Sequence, residues 1–219
     1  YQEADYNIAL DYYLKALSVA EEVHDSLRIV TVLNNIGAVY VDKNINDKAL
    51  EYSLRAFTMA EELGEMDALA TAAINAGSVY LNQQELDLAL EFFERAMNAM
   101  EGTDGIIFSM VSIAQIHIQN EEFEDAIDVL ERAIDIAIEM KSIPSLGQAY
   151  NSLGETYKDM KDDEKALISF HKAASINREI NAQNPLEKSY KGLTKIYSSN
   201  NMFDSAYKYQ RLITEVHEH

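Results

Sequence analysis

The sequence predicts an all-α protein, a solenoid of stacked antiparallel helix pairs with about eleven helices. Three observations predict it. Ala9, Ala49, Ala89, Ala126, Ala166 and Ala206 stand 40, 40, 37, 40 and 40 residues apart, and a fixed period of this length marks a repeat architecture. Three more columns keep phase with that alanine. Seven residues after it stand Ala16, Ala56, Ala96, Ala133 and Ala173, then Ile213. Twelve before it stand Gly37, Gly77, Ala114, Gly154 and Thr194, and nine before it Tyr40, Tyr80, His117, Tyr157 and Tyr197. Finally, glycine and proline number only 8 and 2 of 219 residues, against average usage of roughly 12%. So few breakers leave little room for the tight turns of an all-β chain.

Taken in order, residues 1–24 read as a lone second helix, helix B, of a truncated pair. Residues 27–64, 67–101, 104–141, 144–181 and 184–217 read as five complete A/B pairs, so that 1–219 forms a single solenoid. Within a pair, polar runs such as Asp42-Lys43-Asn44 and Asn82-Gln83-Gln84-Glu85 mark the turn from helix A to helix B. Asp47, Asp87, Glu124, Glu164 and Asp204 then fall in the first turn of helix B, where a negative charge meets the positive end of the helix dipole. Pro144 and Pro185 fall where a helix A begins and are expected at its first position, which needs no N–H partner. The small columns let neighbouring helices approach closely, and the tyrosine column fills the space beside them.

The pattern of small, small and aromatic on helix A, then alanine, aromatic and alanine on helix B, resembles the tetratricopeptide repeat over essentially the whole chain. The aromatic slot of helix B is filled by Tyr13, Phe93 and Phe170 and departs at Ser53, Leu130 and Gln210. Forty-residue units are similar to those of kinesin light chains, cell-polarity adaptors and bacterial Rap-type peptide receptors. The resemblance implies a right-handed superhelix whose A helices face a concave groove, and a partner protein or peptide held there.

Counting back from each alanine column gives the inward A-helix positions. Asn34, Asn35, Asn75 and Asn151 share corresponding places. A primary amide offers two donors and an acceptor on one short stem, so each can bond both polar groups of an extended peptide unit. The same geometry also suits a bond to the backbone of the next helix, and the sequence leaves both readings open. Ser78 and Gln115 are polar companions. Phe108 and Val111, with Ile118, form an apolar belt suited to burying a ligand side chain, or else pack between repeats. Lys188, Lys191 and Lys195 lie on one helical face and suit a carboxylate, or else form a solvated face paired with Glu155 or Asp159.

The formal charge of −19 repels a phosphate backbone, so nucleic acid is not an expected partner. No apolar run reaches the ~20 residues of a membrane span, and no signal peptide opens the chain. With no cysteine, disulfides and thiolate metal sites are excluded and a cytoplasmic location is expected. The chain carries no HExxH, GxGxxG, phosphate-loop or GxSxG motif. His117 belongs to the tyrosine column as packing, His24 ends a helix, His171 lies on an outer helix, and His217 and His219 read as tag-like. None has a second ligand at metal spacing. The expectation is therefore a non-catalytic interaction module without metal or cofactor. The start at Tyr1 reads as a piece of a longer protein. Bare apolar residues on the first helix (Ile8, Tyr12, Val19, Val23) and the last (Tyr207, Tyr209, Ile213) predict homo-oligomeric, end-to-end association. The alternative is a regulatory or sensor segment of a signalling protein with a kinase or cyclase output, working through its ends and convex face.

Overall fold

The computed structural model describes residues 2–100 and 104–217. Among them are eleven α-helices: α1 (Gln2–Glu22), α2 (Ser26–Asp42), α3 (Asn46–Leu63), α4 (Met66–Asn82), α5 (Leu86–Ala99), α6 (Asp104–Gln119), α7 (Phe123–Glu139), α8 (Ile143–Asp159), α9 (Asp163–Glu179), α10 (Gln183–Ser199) and α11 (Phe203–His217). No helix among the described residues is long and apolar enough to cross a membrane.

Nine of the turns share one mechanism. A single residue enters the left-handed region at each: His24, Asn44, Gln84, Glu121, Lys141, Lys161, Asn181 and Asn201 with φ between 54 and 64°, and Gly64 at 72°. The next residue's N–H then donates back to the carbonyl five positions earlier, as Ile45 does to Tyr40, Glu122 to His117 and Asp162 to Tyr157. This closure satisfies carbonyls that a helix end would leave unpaired. It also reverses the chain within three residues, which makes consecutive helices antiparallel.

The chain divides into two compact units, residues 1–109 and 110–219. In the first, α1 packs on α2, α3 lies against both α2 and α4, α5 packs on α4, and α2 runs beside α4. In the second, α7 packs on α8, α9 lies against α8 and α10, α11 packs on α10, and α8 runs beside α10. A-type helices thus form one layer and B-type helices another within each unit.

From α3 to α9 the alanine columns are closed to solvent: Ala49, Ala89, Ala126, Ala166, Ala56, Ala96, Ala133 and Ala173 are fully buried, whereas Ala9 and Ala16 on α1 are half-buried. Close approach explains the glycine column. A Cβ on Gly154 would lie 2.8 Å from the Phe170 ring, and one on Gly192 would lie 2.5 Å from the same ring. Phe170 of α9 is therefore wedged between α8 and α10, with no exposed surface. The tyrosine column is less deep than the sequence suggests. Tyr40, Tyr80, His117 and Tyr197 are half-buried and Tyr157 alone is buried, because these side chains lie beside the turns and stack on aromatic partners such as Tyr52, Phe92 and Tyr209.

Two local expectations change. Pro144 and Pro185 stand at the second and third helical positions, not the first, which costs no hydrogen bond because the first four N–H groups of a helix lack intrahelical acceptors. On α11, Tyr207 is exposed as expected, but Ile213 is buried and Tyr209 is half-buried. Tyr209 stacks on Tyr197 at 5.7 Å and also meets Tyr190 and His171. On α1, Ile8, Tyr12, Val19 and Val23 are all more than half exposed, between 55% and 68%.

Candidate functional site

In the first unit the inward positions of α2 and α4 form a hydrogen-bonded seam. Asn34 is buried, and its Nδ2 donates to the Ala68 carbonyl at 2.9 Å; Asn75 is buried, and its Nδ2 donates to the Asn34 carbonyl at 3.1 Å. Asn34 Oδ1 is enclosed without a hydrogen-bond partner. Asn35, one residue along, is exposed, as are Thr31 and Thr71, while Ser78 is half-buried with its hydroxyl donating to the Ile74 carbonyl. Phe108 is 39% exposed and rests edge-on against the buried Phe93 at 6.4 Å.

The second unit repeats the seam. Asn151 is buried; its Nδ2 donates to the Pro185 carbonyl at 2.8 Å, and its Oδ1 accepts from the Ser189 hydroxyl at 2.7 Å. Asn34 and Asn151 thus reach acceptors the same distance along the chain, 34 residues ahead. Of the two roles open to these amides in the sequence, the structure displays the helix-to-helix bond for Asn34, Asn75 and Asn151. The physical reason is position: they face the neighbouring A-type helix, and a buried amide requires a partner there.

Val111 is buried and Ile118 half-buried, whereas Gln115 is exposed. Lys188, Lys191 and Lys195 are all exposed on α10. Lys191 pairs with Glu187 at 2.6 Å, and the carboxylates of Glu155 and Asp159 are taken by Lys158. Lys188 and Lys195 have no ion pair among the described residues. Lys195 lines a concavity of about 490 Å³ with Lys158, Lys161, Asp159, Asp163, Ile196, Ser199 and Asn200.

Two groups missed by sequence reasoning stand out. His117 Nδ1 lies 2.7 Å from Glu122 Oε2, and the His117 hydrogen bond holds the Glu122 carboxyl below its ordinary range. The signal was available only as a spacing of five across the turn between two helices. His171 contacts the Tyr197 hydroxyl at 3.1 Å, and burial, with Lys208 nearby, pushes its pKa down.

Comparison with known proteins fits this geometry. Residues 1–62 and 68–139 match the family model described as the tetratricopeptide repeat, and residues 108–219 match that of the soluble NSF attachment protein, SNAP. No curated protein matches the sequence. Among solved structures, BtubC (BKLC) from P. vanneervenii superposes with a TM-score of 0.82 at 19% identity, over 97% of this chain and 91% of that one. The nearly identical TPR-like repeats of a Podosopora anserina kinesin light chain give 0.66 at 13% identity, over 86% and 94%. RapI in its apo form gives 0.74 at 15% identity, over 99% of this chain and 66% of its own. At such identities the likeness is one of fold.

Proposed function

The chain belongs to the tetratricopeptide-repeat family, and from that premise we propose that it is a non-catalytic module binding an extended partner segment across the A-type helix faces. The observation that carries the proposal is which side chains those faces leave available. Asn35, Gln115, Lys188 and Lys195 are exposed on A-type helices. In a chain where acidic residues outnumber basic ones 37 to 18, Lys188 and Lys195 nevertheless stay without a carboxylate partner among the described residues. Phe108 supplies a partly open apolar contact. In this reading Asn34, Asn75 and Asn151 fix the spacing of the helices that present the face, while Asn35, Ser78, Gln115 and the three lysines Lys188, Lys191 and Lys195 meet the ligand.

A few net hydrogen bonds of about 1 kcal/mol each and one apolar anchor give affinity near the micromolar range. The test is selection of a displayed random-peptide library on the immobilised chain, followed by titration of the selected peptides. The proposal expects at least tenfold weaker binding in a combined Asn35→Ala, Gln115→Ala, Lys188→Glu, Lys195→Glu variant that keeps its helical circular dichroism. Unchanged affinity in that variant overturns it.

One observation favours a second reading, in which the chain regulates an output domain through its ends. The apolar face of α1 is open at Ile8, Tyr12, Val19 and Val23. That reading predicts that Tyr12→Asp with Val19→Asp abolishes partner binding while the A-face variant leaves it intact.

A further inference from the structure

We propose that His117, Glu122 and Asp125 form a binding site for a divalent transition-metal ion at the turn joining α6 to α7. One ligand atom from each lies within 4.8 Å of the others. The backbone holds them there: the Glu122 N–H donates to the His117 carbonyl at 2.8 Å, and the Ala126 N–H to the Glu122 carbonyl at 3.1 Å. The histidine nitrogen and the glutamate oxygen already meet at 2.7 Å.

The repeat itself supplies an independent argument for the placement. A column residue, the residue five later and the residue eight later hold the same register wherever helix A turns into helix B. In the following pair the same register puts Lys165 Nζ over the Tyr157 ring at 5.1 Å. The corresponding trios are Tyr40, Ile45 and Lys48; Tyr80, Glu85 and Leu88; Tyr157, Asp162 and Lys165; Tyr197, Met202 and Ser205. Only at His117, Glu122 and Asp125 are all three positions metal-ligating types. The exchange of tyrosine for histidine therefore coincides with carboxylates at both places that face it.

The surroundings favour a cation. A depression of about 340 Å³ beside the trio is lined by Glu121, Glu122, Phe123, Glu124, Asp125 and Met160, with no basic side chain. One imidazole and two carboxylates suit zinc, cobalt or manganese, with water completing the coordination. Magnesium, an all-oxygen ion, gains nothing from the imidazole. A bound ion would clip α6 to α7 and stabilise the fold by mass action.

The test uses the chain after chelator treatment, titrated with zinc chloride by calorimetry and with cobalt chloride by visible absorption. The expected result is one saturable equivalent in the micromolar range, retained in millimolar magnesium, with a rise in thermal midpoint. His117→Tyr installs the residue usual in this column and is expected to weaken zinc binding at least tenfold while the helical signal persists. Glu122→Gln and Asp125→Asn should each do the same, and Asp135→Asn on the exposed flank of α7 should change nothing. Wild-type affinity in His117→Tyr and Glu122→Gln would show diffuse binding to surface carboxylates and overturn the proposal. So would the absence of saturable binding up to millimolar zinc.

Discussion

Residues 1–109 and 110–219 are built from the same helix pair, closed by the same left-handed turn, yet they present different chemistry. The first unit carries 6 basic and 19 acidic side chains, the second 12 and 18, giving formal charges of −13 and −6. The first places Thr31, Thr71 and Ser78 at A-type positions where α10 of the second carries Lys188 and Lys195. The scaffold is set by residues that touch other helices: alanines, glycines, Phe93, Phe170 and the buried asparagines. Those that touch none of these are free to differ. The contrast teaches that the stack and its surface obey separate constraints, so mutations should sort into two classes.

The largest effects belong to the shared scaffold. Phe170→Ala should cost roughly 3–5 kcal/mol, as should Phe93→Ala, because each ring is fully buried and its removal leaves a cavity; denaturant unfolding measures both. Adding a methyl group sharpens the comparison between units. A Cβ on Gly192 would meet the Phe170 ring at 2.5 Å, whereas one on Gly77 would meet Phe93 at 3.1 Å. Gly192→Ala should therefore fall toward the upper end of about 1–3 kcal/mol and Gly77→Ala toward the lower end. Equal costs would mean that Phe170 relocates freely.

The seam asparagines come next. Asn151 makes two buried hydrogen bonds and Asn34 one, with its Oδ1 unpartnered. Asn151→Ala should thus lower stability by about 2 kcal/mol and Asn34→Ala by about 1 kcal/mol or less. Thermal unfolding of both variants decides the order, and the reverse order would break the account of the seam.

Much of this was legible in the sequence, for identifiable reasons. Small side chains recurring at a fixed period record helix-to-helix approach directly, and acidic residues after each turn record the start of helix B. What one helix donates to another is not recorded in that way. Asn34 and Asn151 look identical to ligand-facing amides, because inward and sideways positions on a helix differ by one residue. Asn35 is exposed while its neighbour Asn34 is buried. The convergence of His117, Glu122 and Asp125 depends on a left-handed residue, Glu121, that a propensity reading does not place. Nor does periodicity show that α11 returns Tyr209 to the Tyr197 ring.

The smallest predicted stability effect is a pH dependence confined to the second unit. Burial lowers the His171 pKa in the folded state, so the unfolded chain binds more protons as pH drops through the histidine range. Stability from this group is complete above about pH 6.5 and is lost progressively as pH falls below it. His171→Gln should flatten the slope of thermal midpoint against pH between about 7 and 5.5, and an unchanged slope would assign the dependence elsewhere.

The central claim is that a partner lies across the A-type helices. Backbone amide shifts in nuclear magnetic resonance, recorded while a library-selected peptide is titrated into the chain, test it most directly. The account predicts that perturbations concentrate on α2, α4, α6, α8 and α10, beginning with Asn35, Gln115, Lys188 and Lys195. Perturbations confined to α1, α3, α5, α7, α9 and α11 would contradict it.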